Sequence, residues 1–559
     1  PARTSAMMSN SNPFTPSITD RFSKRSVMLG VKGFELLIMA LVLAGLWRMD
    51  KNLLLACVFL MGTHSALFGP SKYGSLPELL PERRLSWGNG LLELGTFMAI
   101  ILGTVAAALL AHRFRGEPWI CGLLLIALAL FGLLACCAIT QVPAANPHKK
   151  FSVNFPAEVW RQLRAMRGDR PLWLAMIGNT YFNFLGALLL LNLFFYGADV
   201  LHLNEAQVGL LNVALALGIG LGSVSAGYLS GGKIEYGLVP LGAFGLSVFS
   251  ALLAWPGAGV GISYALLALL GFFGGFFIVP LAALLQHRPS PENRGEVQAT
   301  ANLLAFVGVF LASGAHWLLA QQCQLSPRHI FLVGGVMTLA GAAYVLFLLP
   351  DALLRFGLWL VTRTLYRIRV DGRDHIPAKG GALFVCNHVS WMDALLLLAS
   401  TDRKVRFLMF KDIYERRWIR WAARIMGVIP VSSGQRPREL IQSLLTASEA
   451  IRSGEVVCIF AEGEITRISQ LLPFRPGLER IMEGMDAPII PISLDRVLGS
   501  PLSFKHGKFI RRLPARIPHP VTVTFGAPLP ATADAFTVRQ AVQELQSSAW
   551  AHRRDRMPT

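Results

Sequence analysis

The sequence predicts a protein of two parts, a multi-pass α-helical membrane domain followed by an α/β domain. Three observations support this division. Hydrophobic residues make up 53% of the chain and charged residues only 15%, a balance typical of membrane proteins. Nearly all long uncharged runs lie before Pro350. After Val370 short, β-rich apolar runs alternate with helical stretches, which is typical of a largely parallel sheet covered by helices.

The first part contains ten apolar runs, each close to the roughly 20 residues that a helix needs to cross a bilayer. They lie near 27–47, 52–69, 86–111, 118–141, 173–197, 207–229, 238–255, 258–285, 297–319 and 329–350. Because a helix satisfies its own backbone hydrogen bonds in lipid, these runs predict about ten transmembrane helices. We assign residues 1–26 to an N-terminal tail and cytoplasmic loop, and 27–350 to the membrane domain.

Basic residues between the runs predict the orientation in the membrane. One set of loops carries 15 Lys and Arg residues and the opposite set carries five. The positive-inside rule assigns the richer set to the cytoplasm, and ten spans return the chain there at Pro350. The α/β part is therefore predicted to be cytoplasmic. The seven cysteines show neither metal-ligand spacing nor a disulfide framework.

Several segments resemble the major facilitator superfamily. SITDRFSKRS (17–26) resembles the cytoplasmic loop between that family's second and third helices, and residues 271–288 resemble the tenth helix of its bacterial lysophospholipid transporters. Residues 68–80 and 89–103 resemble the fourth and fifth helices. The resemblance implies that the family's first two helices are absent from this chain.

Ionisable residues within membrane spans are functional candidates. Glu35 and Glu93 lie within such runs and are therefore predicted transport residues. Lys72, which the apolar runs place in the loop between 52–69 and 86–111, is named as a third possible transport residue. Two structural alternatives stay open, since Glu35 can pair with Lys32 one turn away and Glu93 can lie near a helix end. The glycine-rich stretch 218–227 predicts close helix packing rather than a ligand loop.

A linker at 351–372 is predicted to lie at the membrane interface, because residues 353–370 mix apolar residues, aromatic residues and four arginines. Residues 413–431 form a second such stretch, for which an amphipathic helix packed on its own domain is the alternative. Residues 373–559 are assigned to the α/β domain. Residues 351–559 carry +11 of the net charge of +19, which suits anionic headgroups or a phosphate-bearing substrate. Nucleic acid is not a predicted partner, because no binding motif for it is visible.

The stretch CNHVSWMD (386–393) places a histidine five residues before an aspartate, after a β-rich run. Positions five apart on a helix point about 140° away from each other. His388 and Asp393 can therefore meet only across a strand–turn–helix junction. Ser390 followed by Asp393 also fits a capping box, so the pattern by itself leaves open that Asp393 only caps a helix.

Four blocks in this part together resemble the glycerolipid acyltransferase family. The matching positions are Asn387, His388 and Asp393; Gly427 and Ile429; Glu462, Gly463, Thr466 and Arg467; and Pro491. In the third block Ala461 replaces the family's proline, and Glu464 and Ile465 intervene before Thr466. This variant resembles bacterial 2-acylglycerophosphoethanolamine acyltransferases, in which the domain can be fused to a lysophospholipid transporter.

The resemblance implies acyl transfer from a thioester to the hydroxyl of a lysophospholipid, lysophosphatidylethanolamine in the first instance. It implies that His388 is the general base, that Asp393 orients it, and that the other block residues bind the substrate. Glu462, Gly463, Thr466 and Arg467 would bind its glycerol-phosphate portion. Backbone N–H groups after Ser390 would stabilise the oxyanion.

Neither a bound cofactor nor a metal is expected, and acyl-acyl carrier protein or acyl-CoA is the expected co-substrate. Import of lysophospholipid by the membrane domain, in a bacterial inner membrane, is expected to supply the enzyme. A further adenylate-forming domain is expected beyond this chain. The alternatives are a lysophosphatidate acyltransferase that makes phosphatidate, or a transporter with an accessory soluble domain.

Overall fold

A computed structural model describes residues 21–554 apart from short gaps. The gaps are 144–154, 231–233, 349–356, 359, 363, 378, 402, 433–436, 467–469, 499, 501–502, 506–507 and 510–516. The chain forms two compact units, Pro1–Leu348 and Leu349–Thr559. The boundary lies beside Pro350, where the hydropathy of the sequence changes.

The described part of the first unit contains eleven α-helices. They are α1 Lys24–Arg48, α2 Lys51–Leu79, α3 Leu85–Arg113, α4 Trp119–Cys137, α5 Phe155–Met166, α6 Arg170–Phe195, α7 Glu205–Leu229, α8 Leu238–Leu253, α9 Val260–His287, α10 Arg294–Trp317 and α11 Pro327–Leu348. Among the described residues, nine helical segments are long and apolar enough to cross a membrane.

The predicted span at 238–255 differs from the other nine. Its helix α8 has 16 residues, which gives a length of about 24 Å. This is shorter than the roughly 30 Å hydrocarbon core of a bilayer. The described residues therefore supply nine full-length candidates and one short apolar helix rather than ten equal spans.

Glycines bring α7 and α9 into backbone contact. A Cβ atom at Gly218 or Gly222 would meet the backbone of α9, and a Cβ atom at Gly271 or Gly275 would meet the backbone of α7. Each pair is spaced by four residues and so lies on one helix face. The prediction of close packing at 218–227 is confirmed.

The described residues of the second unit form a seven-stranded sheet with the strand order β1-β9-β6-β2-β5-β3-β4. Its strands are β1 Tyr366–Asp371, β2 Ala382–Cys386, β3 Val405–Phe410, β4 Ile429–Val431, β5 Val456–Phe460, β6 Ile489–Asp495 and β9 His519–Phe525. The short strands β7 Phe504–Lys505 and β8 Lys508–Phe509 pair separately. The sheet is mixed, because β6 and β9 are antiparallel while the other neighbours are parallel.

Helices cover the sheet. They are α12 Asp393–Ser400, α13 Lys411–Tyr414, α14 Arg417–Ile425, α15 Pro437–Arg452, α16 Gly477–Met482 and α17 Ala535–Arg554. All five residues of β2 are buried, and alternate residues contribute to two separate apolar clusters. Burial on both faces explains why the run ALFVC shows no polar alternation. The strand order places the end of β2, and so His388, in the middle of the sheet.

Strand β1 is a correction to the predicted interfacial linker at 351–372. The sequence predicts an interfacial segment there, but residues 366–371 form an edge strand parallel to β9. The strand alternates buried Tyr366 with exposed Arg367 and Arg369, and this alternation is typical of an edge strand with one covered face. Basic residues on the open face gave the segment its interfacial appearance.

Candidate active site

Asn387 continues the pairing of β2 with β6 beyond the end of the strand. Its side-chain amide donates to the carbonyl oxygen of Leu494 at 3.1 Å, and its side-chain oxygen accepts from the Leu494 N–H at 2.7 Å. Asn387 is buried, so these bonds lie in a low-dielectric interior where unpaired groups are costly. The Asn387 side chain therefore links the end of β2 to β6 just before His388. Its contact with a substrate remains a prediction.

His388 and Asp393 form a hydrogen-bonded pair across the turn after β2. Nδ1 of His388 lies 2.8 Å from Oδ2 of Asp393. Asp393 is fully buried, and its carboxylate also accepts from the backbone N–H groups of Val389 at 2.6 Å and Ser390 at 2.9 Å. With Nδ1 donating to the carboxylate, the lone pair of the imidazole lies on Nε2.

The capping-box prediction for Ser390 is partly confirmed. The Ser390 N–H donates to Asp393, as a box requires, but the Ser390 hydroxyl accepts from Met392 and donates to Oδ1 of Asp393 at 2.6 Å. The helix itself begins at Asp393. The Asp393 carboxylate therefore stabilises the turn by its bonds to Val389 and Ser390 and also contacts the His388 imidazole.

Glu462 connects the turn after β2 to the loop after β5. One carboxylate oxygen accepts from the backbone N–H of His388 at 2.7 Å, and the other accepts from the N–H of Leu472 at 2.9 Å. The side chain is 3% exposed, and this burial raises the pKa of its carboxyl group. Both oxygens of this predicted substrate ligand therefore bind backbone amides.

Thr466 and Gly463 shape the rest of that loop. The Thr466 N–H donates to the carbonyl oxygen of His388 at 2.8 Å, so both backbone polar groups of His388 are held by the third block. Gly463 has φ +76°, and a Cβ there would lie 2.6 Å from Nε of Arg475. Arg467 lies outside the described residues.

The imidazole of His388 stacks on Phe460, the last residue of β5, with ring centroids 4.2 Å apart. Phe460 stacks in turn on Phe407 of β3. His388 is 21% exposed, and Nε2 makes no hydrogen bond within the described part of the chain. The stack and the Asp393 bond fix the ring, while Nε2 stays available to a substrate.

Two thiols lie near this pair, but neither is a suitable nucleophile. Cys386 and Cys458 are buried, and burial raises the pKa of each thiol well above its ordinary value. A thiolate is the reactive form of cysteine. The geometry therefore favours a nucleophile that the substrate brings.

Three predicted substrate-binding residues lie away from His388. Gly427 lies at the amino end of β4, where its carbonyl accepts from Nε of Arg406 at 2.7 Å. Arg406 is four residues from the carboxyl end of β3, or about 13 Å from that edge. Ile429 is buried in β4, and Pro491 is buried in β6, where it pairs with Val385. Ile429 and Pro491 therefore belong to the interior of the sheet, and Gly427 lies at its amino edge.

Two arginines belong to the site region but were missed from the sequence. Arg475 packs on Gly463. Arg539 of α17 donates to the carbonyl oxygens of Leu471 at 2.9 Å and Leu472 at 3.1 Å. Arg539 has no local sequence signal, because a contact over 67 or 68 positions depends on the fold. Arg475 lies in the stretch FRPG (474–477) of the same loop as Gly463.

The predicted transport residues lie on α1, α2 and α3 of the membrane unit. Oε2 of Glu35 lies 2.5 Å from Nζ of Lys32 and 3.2 Å from Nε2 of His64, so the predicted pairing with Lys32 is present. Glu93, which is buried, accepts from the Tyr73 hydroxyl at 3.0 Å.

Lys72 was counted as a loop residue, but it lies inside α2 and donates to the Thr96 hydroxyl at 2.8 Å. The helix continues to Leu79, although Pro70 and Pro77 lie within it. A half-buried cation beside a hydroxyl is typical of a functional position in a membrane domain.

Two family models match the chain. The major facilitator superfamily model matches residues 5–313, and a model described as acyltransferase matches residues 367–495. The second range contains the turn after β2 and the loop after β5. These matches confirm the predicted fusion, its two-part fold class and the predicted O-acyltransferase enzyme.

Curated proteins and solved structures match the membrane unit. Lysophospholipid transporter LplT of Cronobacter sakazakii is 30% identical over 325 residues, which cover 55% of this chain and 75% of that protein. The protein of the same name from Escherichia coli is 31% identical over 298 residues, or 52% of this chain and 71% of that protein. The human organic anion transporter MFSD10 superposes with a TM-score of 0.50 at 18% identity, covering 57% of this chain and 76% of that chain.

Proposed function

Because this chain belongs to the major facilitator superfamily and carries an acyltransferase domain, we propose that it acylates lysophospholipids delivered by its own membrane unit. The proposed reaction moves an acyl chain from a thioester to the free hydroxyl of lysophosphatidylethanolamine. The observation that carries it is the His388–Asp393 pair with Nε2 free. The likeness of the membrane unit to lysophospholipid transporters supports the choice of substrate.

His388 acts as the general base in this reaction. Nε2 accepts the proton of the lysolipid hydroxyl while that oxygen attacks the thioester carbonyl. The tetrahedral intermediate collapses, the carbon–sulfur bond breaks, and the thiolate takes the proton from His388. Asp393 stabilises the imidazolium and holds its tautomer, as in serine hydrolases.

Substrate binding is assigned to groups beside the turn. Arg467, the family-matched cation, is proposed to bind the phosphate by charge-assisted hydrogen bonds. Arg475 on Gly463 is a second cation in that loop. The acyl donor is proposed to be an acyl carrier protein or coenzyme A thioester, and no resident cofactor takes part.

The proposed setting is the bacterial inner membrane, with the acyltransferase domain in the cytoplasm. The excess of basic residues in one set of loops supports this orientation. In this arrangement, imported lysolipid and cytoplasmic thioester meet on the same side of the bilayer. A further acyl-activating domain would supply the thioester.

Replacing His388 with alanine tests the proposal. General acid–base catalysis contributes roughly 10²–10⁴-fold in rate, so we expect the H388A variant to lose acyl transfer by at least about a hundredfold. The measurement is radiolabelled product formation with lysophosphatidylethanolamine and lysophosphatidate side by side. Wild-type activity in H388A would overturn the base assignment, and a preference for lysophosphatidate would overturn the headgroup.

A further inference from the structure

Helix α14 presents a row of cationic side chains and one tryptophan to solvent. Arg417, Arg420, Trp421 and Arg424 are exposed, and Trp421 is 54% exposed. Their spacing of three, four and seven residues places them on one helix face. Ala423 of the same helix is buried. We call these four exposed residues the arginine face.

Contacts within the described part of the domain do not explain why the arginine face carries three arginines. Within the described part of the chain, none of the three makes a side-chain hydrogen bond or ion pair, whereas Arg403 and Arg406 nearby are both bonded to the domain. The helix has no acidic residue in its first turn. Arg417 begins the helix, where the positive end of the helix dipole opposes a cation, so it does not stabilise the helix, whereas Arg424 lies in the last turn.

The fold places one end of this helix beside the carboxyl edge of the sheet, which carries His388. α14 follows β3 and α13 at the carboxyl edge, where the turn after β2 also lies, and it runs back to the amino end of β4. One end of the arginine face therefore lies at the edge that carries His388. A surface that binds this face also approaches the site.

We propose that the arginine face docks the acyltransferase domain on the anionic headgroups of a bilayer, with Trp421 at the headgroup boundary. Arginines near a membrane gain electrostatic energy from anionic lipids, and tryptophan favours the interface between water and hydrocarbon. The domain belongs to a multi-pass membrane protein, so a bilayer is always close. An acidic carrier protein would match the charge, but it would not explain a tryptophan at the centre of the face.

A fluorescent reporter tests the docking without enzyme turnover, so its result is independent of the proposed reaction. The full chain, with exposed Cys137 and Cys323 changed to serine, carries an environment-sensitive dye at W421C. A matched protein carries the dye at R452C, an exposed position at the end of α15.

In nanodiscs with increasing phosphatidylglycerol, we expect a blue shift of the W421C dye that salt reverses, and no shift of the R452C dye. Equal shifts at both positions, or none at Trp421, would overturn the proposal.

Charge reversal provides the functional test. The variant R417E/R424E changes the net charge by the same amount as R452E/R480E, whose arginines are exposed elsewhere on the domain. We expect R417E/R424E alone to lose the stimulation of acyl transfer by anionic lipid, by roughly tenfold, with unchanged thermal unfolding. A weaker apparent affinity for the carrier-protein donor with unchanged lipid dependence would assign the face to that protein and reject the membrane role.

Discussion

At the scale of single residues, every polar group of His388 except the reacting Nε2 forms a hydrogen bond to the protein. The third block holds its backbone N–H and carbonyl through Glu462 and Thr466, and Asp393 holds Nδ1. Phe460 fixes the plane of the ring. Preorganisation of this kind lowers the cost of reaching the transition state.

Replacing Glu462 with glutamine separates positioning from substrate binding. A glutamine side chain offers one acceptor oxygen where glutamate offers two, so either the His388 or the Leu472 amide loses its partner. We expect kcat to fall by roughly tenfold to a hundredfold, while KM for the lysolipid stays within about twofold of wild type.

E464Q is the matched control, because Glu464 is exposed two residues away. A raised KM with unchanged kcat in E462Q would show that Glu462 binds the substrate directly.

At the scale of elements, the site is built where two adjacent parallel strands end. β2 carries the His388 turn and β5 carries the Glu462 loop, and parallel neighbours bring their carboxyl ends to one edge. Helix α17, which follows the last strand, reaches back to this loop through Arg539. The site therefore depends on an element outside the family-matched range.

Replacing Arg539 with alanine tests that dependence. The carbonyl oxygens of Leu471 and Leu472 would lose a charged donor, and a hydrogen bond to a charged group contributes about 1.5–3 kcal/mol. We expect faster hydrogen exchange at Leu472 and a several-fold lower kcat. Q540A on the same helix is the control, and unchanged exchange in R539A would contradict the role assigned to Arg539.

Replacing Gly222 with alanine tests the contact between α7 and α9. The added methyl group would meet the carbonyl of Phe272, and overpacking of this kind costs about 1–3 kcal/mol. We expect a lower unfolding temperature of the membrane unit in detergent. G209A, on the same helix with open space around it, is expected to unfold like wild type; equal effects of the two variants would contradict the close contact.

At the scale of the whole molecule, the chain combines two compact units with separate candidate machinery. The membrane unit holds Glu93 with Tyr73, and the second unit holds His388 with Asp393. Because the candidate residues are separate, we expect a variant in one unit to lose its activity, lysolipid uptake or acyl transfer, without loss of the other. In the proposed function the two units act in sequence on one lipid.

Two variants test this separation. We expect H388A to keep the uptake of labelled lysolipid into proteoliposomes while losing product formation. We expect E93Q to reduce uptake several-fold while acylating lysolipid supplied in micelles at the wild-type rate. Loss of uptake in H388A, or of micellar activity in E93Q, would contradict independent machinery.

Much of this protein is determined by local patterns in its sequence. Hydropathy located the membrane helices and the change at Pro350, because burying a helix in lipid requires about 20 apolar residues wherever the helix lies. The H-x4-D spacing located the pair of His388 and Asp393, because one turn brings both residues together. The order of the four blocks placed the Glu462 loop at the same sheet edge.

The tertiary structure alone decided which groups the block residues contact. Asn387 and Glu462 are polar residues in a candidate site, but their partners are backbone groups up to 107 positions away. Gly427 lies in a matching block, yet the direction of β4 places it at the opposite edge. Arg539 joins the site region only through folding. Hydrogen bonds between distant segments leave no periodic pattern in a sequence, so they follow from the three-dimensional arrangement of the strands.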